Sequence, residues 1–338
     1  MYEAILIGFK YEGDLYLPGI AVDLYSAYKF CKTAGANVTV ITDIMEDEKT
    51  EYLTKAIFND VVDANVVSFI SKIKERGEYI YIPNENAKEI LRSYINDILE
   101  NTPPRLFIYF TGHGLIRDKD NGLLLPSREL FSFYELRNRI MTLPIDTEIV
   151  WINDCCHLSG IQLPYKLAND GFYESSDGYF CPVQKLIYLS STSVDEKSMI
   201  SREGSVFSGV IFKRLLSAIE QKKTEYRDIR ILMTDVKERL FENVETRNQQ
   251  PSFFSSYPTV FALWPWVFGK KIYIDDSCST VVFINEPIIE GRNEKDFHVK
   301  NLTSFKWKQS PIEKSILAKS PEISTVCWND FAETEIDS

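Results

Sequence analysis

Two side chains in this sequence have the chemistry of a nucleophile and its base, and both stand where an apolar run breaks. His113 ends the stretch Leu106-Phe-Ile-Tyr-Phe-Thr-Gly-His-Gly114, and Cys156 lies within Ile149-Val-Trp-Ile-Asn-Asp-Cys-Cys-His-Leu-Ser-Gly160. Each run reads as a buried parallel strand. Each break then presents its reactive side chain at the carboxyl edge of a sheet, where open α/β folds carry their sites. A free thiol, with a pKa near ~8.5, is mostly protonated at neutral pH, and a neighbouring imidazolium lowers that value. Gly112 and Gly114 let the backbone pass close to a substrate carbonyl, and the amides of Gly114 and Cys156 are the expected oxyanion donors. The pattern predicts hydrolysis by a cysteine nucleophile, with a peptide bond as the expected target.

Blander uses of the same residues compete with this reading. A buried cysteine is usually a small hydrophobe, and Gly-His-Gly is usually a turn. The chain, however, has three histidines, and two of them, His113 and His157, fall in these strand-end stretches. A zinc site built from His113, Cys155, Cys156 and His157 is a poor alternative, because adjacent cysteines rarely chelate one tetrahedral ion. No metal site is expected.

The elements that must position the pair alternate between strand and helix. Strands are expected at Ala4–Phe9, Val38–Thr42, Leu106–Phe110, Glu148–Asn153 and Lys185–Ser190, with shorter ones at Tyr79–Ile82, Leu123–Leu125 and Thr259–Leu263. Helical spacing of apolar residues marks Ile20–Lys32, Asn86–Glu100, Phe131–Met141, Val206–Ile219 and Ile229–Glu245, and a further helix is expected around 48–61. Such alternation predicts an α/β fold with a mostly parallel central sheet and helices on both faces. Leu163 to Pro182 has turn signals and little periodicity, so residues 161–184 are expected to form a mobile loop. Helix signals fade after about residue 270. Residues 1–268 are therefore read as the catalytic domain and 269–338 as a β-rich C-terminal extension.

Composition excludes several classes. The chain has 338 residues, is 44% hydrophobic and 26% charged, and carries a formal net charge of −11. Nucleic-acid binding is not expected, because phosphate contacts need a basic face. The opening residues have no basic n-region, and the longest apolar run, Phe261 to Phe268, is too short to span a bilayer. Six cysteines in this length, two of them adjacent, do not suggest a disulfide framework and fit a reducing, cytoplasmic setting. A monomer or weak dimer is expected.

The two stretches resemble the paired signatures of the metacaspases, caspase-like cysteine peptidases whose first motif ends in a Ser-Gly-His-Gly-like run and whose second reads Asp-x-Cys-His-Ser-Gly. Three further segments resemble the family in the same order: Leu17-Pro-Gly-Ile-Ala-Val-Asp23, Ser190-Ser-Thr-Ser-Val-Asp-Glu-Lys-Ser198 and Gln250-Pro-Ser-Phe-Phe-Ser-Ser256. The resemblance implies a caspase-like three-layer sandwich, with Cys156 as nucleophile, His113 as base and Cys155 at a variable position. It also implies an acidic S1 pocket built from Asp23, Thr111 and Asp154, and cleavage of protein or peptide substrates after Arg or Lys. Read without the family, Asp23 is a charge in the first turn of a helix.

Some relatives process themselves in the loop after the nucleophile. Lys166, the basic residue between Gly160 and Lys185, is the corresponding candidate for autocleavage. Leu158 is an insertion relative to the family motif. It favours the alternative of a catalytically silent homologue that binds or regulates, which the intact His113 and Cys156 oppose. A third reading keeps the chemistry on another amide or ester. No cofactor is expected to be required. Calcium activates many relatives, but here the loop after Gly114 offers only Asp118 and Asp120, which counts against calcium dependence.

Overall fold

Strands covered on both faces need apolar residues at every position, and the longest strands here have them. The computed structural model describes residues 2–45, 68–117, 120–156, 161–168, 173–175, 180–192, 198, 200–201, 204–220, 229–242 and 246–256. In chain order the first half runs β1 (Glu3–Gly8), a 3-10 turn (Gly13–Leu15), α1 (Ile20–Thr33), β2 (Asn37–Thr42), α2 (Phe69–Glu75), β3 (Tyr79–Tyr81), α3 (Ala87–Glu100) and β4 (Arg105–Thr111). It continues with β5 (Gly114–Arg117), β6 (Asp120–Leu124), β7 (Leu130–Ser132), α4 (Phe133–Ile140), β8 (Glu148–Asp154), β9 (Tyr165–Leu167) and β10 (Tyr173–Ser175). The last described elements are β11 (Lys185–Ser190), β12 (Ile200–Ser201), β13 (Gly204–Ser205), α5 (Val206–Glu220), α6 (Ile229–Glu242) and β14 (Ser252–Ser255).

Nine strands form the main sheet in the order β10-β9-β14-β11-β8-β4-β1-β2-β3. The six from β11 to β3 are parallel, and β14, β9 and β10 extend the β11 edge in antiparallel pairs. Alternate residues along each parallel strand feed two cores. Leu6, Phe107, Tyr109, Val150 and Ile152 pack with α1, α2, α5 and α6. Ile5, Ile7, Ile108, Phe110, Ile149 and Trp151 pack with α3, α4 and the small antiparallel sheet of β5, β6 and β7. The architecture is therefore an α/β three-layer sandwich around a mainly parallel sheet, as expected. No helix among the described residues is long and apolar enough to cross a membrane.

The stretch expected as a mobile loop differs. Its residues include β9 and β10, a hairpin in which Tyr173 faces Leu167, and β9 is inserted beside β14. Three-residue strands are too short to show a period of two, so they left no sign in the local sequence. The helix expected at Phe131–Met141 begins at Phe133, because Ser132 ends β7 and caps the helix by accepting from the Tyr134 amide at 3.0 Å. The expected helix around 48–61, the strand at Thr259–Leu263, the β-rich extension and the boundary at 268 lie outside the described residues, as do Asp118, His157 and Leu158.

Candidate active site

β4 and β8 are neighbours in register, with Thr111 opposite Asp154 at their carboxyl ends. The pairing continues past the strands, since the Gly112 amide donates to the Asp154 carbonyl at 3.3 Å. Two residues further, a Cβ built on Gly114 would sit 2.0 Å from the Cys156 carbonyl oxygen and 2.9 Å from the Cys155 sulfur. Only glycine lets the two backbones run this close. His113 is thus held between two residues that touch the Asp154–Cys156 segment, and the histidine and the cysteine leave adjacent strands at the same sheet edge.

The two cysteines have different environments. Cys155 is buried in the core beneath β5, and burial, followed by the neighbouring Cys156 and Asp154, pushes its thiol pKa well up. Such a thiol is inert at neutral pH. Cys156 is partly exposed, and its sulfur lies 3.8 Å from the Ser198 carbonyl oxygen. His113 is partly buried, with Nε2 at 2.8 Å from the Leu15 carbonyl oxygen. A carbonyl only accepts, so Nε2 carries the proton and Nδ1 is left as the acceptor. Burial lowers the imidazole pKa, and the bond to Leu15 opposes that shift. Neutral imidazole is the form a general base requires.

Beside this pair lie two buried carboxylates. Asp23, in the first turn of α1, is 2% exposed, and Asp154 is 4% exposed. Asp23 accepts from the Thr111 hydroxyl at 3.2 Å and from the Ser205 amide at 2.9 Å. Asp154 accepts from Ser198 Oγ at 2.7 Å and from Ser208 Oγ at 2.6 Å, and Tyr109 in turn donates to Ser208 at 2.8 Å. Burial raises the Asp23 pKa well above the ordinary carboxylate range, and the Asp154 charge adds to the effect. A solvated charge in a helix's first turn would show neither burial nor that coupling. The three residues expected to form an acidic pocket, Asp23, Thr111 and Asp154, are brought together.

Sequence reasoning missed the groups that hold these residues. Leu15 and Ser205 act through backbone atoms, which carry no residue signature, and Ser198 and Ser208 are ordinary serines until the fold aims them at Asp154. Lys166, expected in a mobile loop, stands in a paired strand. It lies inside β9, opposite Glu174 and Phe254, with its ammonium 6.0 Å from the Phe254 ring centroid. A peptide bond within a strand paired on both sides cannot lie extended in a protease cleft without first unpairing, which counts against autocleavage at Lys166. Among the described residues no cluster of three or more His, Cys, Asp or Glu side chains is arranged to hold a metal ion.

No family model matches this chain, and no curated protein does. Among solved structures it is similar to caspase-1 from Spodoptera frugiperda, at 14% identity and a TM-score of 0.41 over 75% of this chain and 87% of that one. It is also similar to protein GSU0716 from Geobacter sulfurreducens, at 12% identity and a TM-score of 0.46 over 75% of this chain and 92% of that one. Likenesses this distant concern the course of the chain and assign no role to any residue.

Proposed function

We propose that this protein is a cysteine endopeptidase of metacaspase type that cleaves after arginine or lysine. The observation that carries the reading is the buried Asp23–Asp154 pair, set at the same strand ends as a histidine and a partly exposed cysteine. Two carboxylates out of water repel one another, and a substrate cation placed between them relieves that cost. A charge pair at ~4 Å in a partly desolvated pocket contributes up to ~4 kcal/mol before desolvation. Apolar fit discriminates by only about 1–3 kcal/mol. Charge therefore dominates the choice of P1 residue.

In the proposed reaction Nδ1 of His113 takes the Cys156 proton, and the thiolate attacks the carbonyl carbon of the basic residue. The amides of Gly114 and Cys156 donate to the resulting oxyanion. Collapse breaks the C–N bond, and the imidazolium returns its proton to the leaving amine. A water then hydrolyses the thioester, with His113 again as base, and restores the thiol.

The test is a set of fluorogenic peptides with Arg, Lys or Asp at P1, given to the protein and to Cys156→Ala, with and without a calcium chelator. Cleavage after Arg and Lys that is absent from the variant and indifferent to the chelator is the expected result. Preference for Asp would overturn the pocket assignment. No cleavage, together with no selective labelling of Cys156 by a thiol probe, would leave a silent homologue.

A further inference from the structure

We propose that Tyr11 is a positioning residue for His113, its phenol fixing the histidine's backbone and its ring backing the imidazole. This rests on the reading of His113 as the base. The His113 amide donates to the Tyr11 hydroxyl at 2.9 Å, and that hydroxyl donates to the Leu124 carbonyl at 2.7 Å. The Leu124 amide returns to the His113 carbonyl at 2.9 Å. Both backbone groups of His113 are therefore engaged in one closed circuit through Tyr11 and the end of β6. The Tyr11 ring centroid lies 4.9 Å from that of the imidazole, tilted by 45°.

Tyr11 is itself held in place. Its φ is +58°, a left-handed conformation that a tyrosine adopts only when neighbours compel it. Here the Lys10 and Tyr11 amides donate to the two oxygens of buried Asp43, at 2.7 and 2.8 Å. The same short segment ends at Leu15, whose carbonyl holds Nε2, and the Leu17 amide closes it by donating to the Lys10 carbonyl at 2.7 Å. One loop thus grips His113 by its backbone through Tyr11 and by its ring through Leu15. Space for the phenol depends on Gly112, where a Cβ would meet the Tyr11 oxygen at 2.8 Å.

Tyr11→Phe keeps the ring and removes the hydroxyl. Tyr188→Phe is the control, since the Tyr188 hydroxyl also accepts a buried bond, at 3.1 Å, but from Asn153 rather than from His113. The readout is the rate at which iodoacetamide alkylates Cys156 across pH, scored by peptide mass, because reactivity near pH ~6 reports the imidazole beside the thiol. The kcat and KM for a P1-Arg peptide are read alongside. Tyr11→Phe should lose about 10-fold in low-pH alkylation and in kcat, with KM unchanged, and Tyr188→Phe should lose neither. Equal losses in both variants, or none in Tyr11→Phe, overturn the positioning role and leave the hydrolase reading intact. A Cys156 in the unaltered protein no more reactive than a free thiol overturns the hydrolase reading and this role with it.

Discussion

Under the proposed function, Asp23 sets stability against substrate binding at a single residue. Its folded pKa is raised, so the folded state holds the proton more tightly than the unfolded chain does. The stabilising contribution is full below the unfolded value and is lost as pH rises through the folded one. Asp23→Asn should therefore cut kcat/KM for a P1-Arg peptide by about 10²-fold while raising the melting midpoint at neutral pH. Steady-state kinetics and thermal denaturation check the two halves separately. Asp43 gives the same sign with a defined window, because burial moves its carboxyl from 3.8 to about 6 against the bonds from Lys10 and Tyr11. Between about pH 4 and 6 its contribution falls by roughly 3 kcal/mol. The midpoint advantage of the unaltered protein over Asp43→Asn should shrink across that interval, and an advantage that grows would contradict it. Gly114→Ala should lower kcat/KM by 10²-fold or more, on the order of what a 1 Å misplacement costs. A near-native circular dichroism spectrum would separate that loss from unfolding.

At the scale of elements, legibility followed length and burial. The strands β1, β2, β4, β8 and β11 were readable because both faces are covered, so each is a nearly unbroken apolar run. The short strands β5, β7, β9, β10, β12 and β13 span two to four residues, and their pairing is decided by distant partners rather than by local pattern. The site divides in the same way. The joint strand ends of His113 and Cys156 follow from register and could be foreseen. Tyr11 could not, because its link to His113 joins residues 102 apart in sequence. The placement of β9 carries its own prediction. Intact-mass analysis of the active protein should give one uncleaved chain that differs from Cys156→Ala only by the sulfur the substitution removes, and cleavage after Lys166 would require the β9 edge to open.

For the whole molecule the relevant quantity is its charge. With 49 acidic and 38 basic residues the protein is an anion, and under the proposed function that charge would draw basic substrates in before they dock. Raising ionic strength from about 0.02 to 1 M should lower kcat/KM for a P1-Arg peptide several-fold, mainly through KM, while alkylation of Cys156 by neutral iodoacetamide stays unchanged. An equal fall in both rates would point to a loss of structure instead. Finally, the end of β8 has a consequence for how such a protein can change. Three consecutive residues serve three places there: Asp154 faces the helix carrying Ser208, Cys155 faces the opposite core, and Cys156 stands at the rim. Deleting or adding one amino acid within this strand would exchange carboxylate for sulfur across the layers, so variation in length must accumulate in the connections, and the strand itself can drift only by substitution.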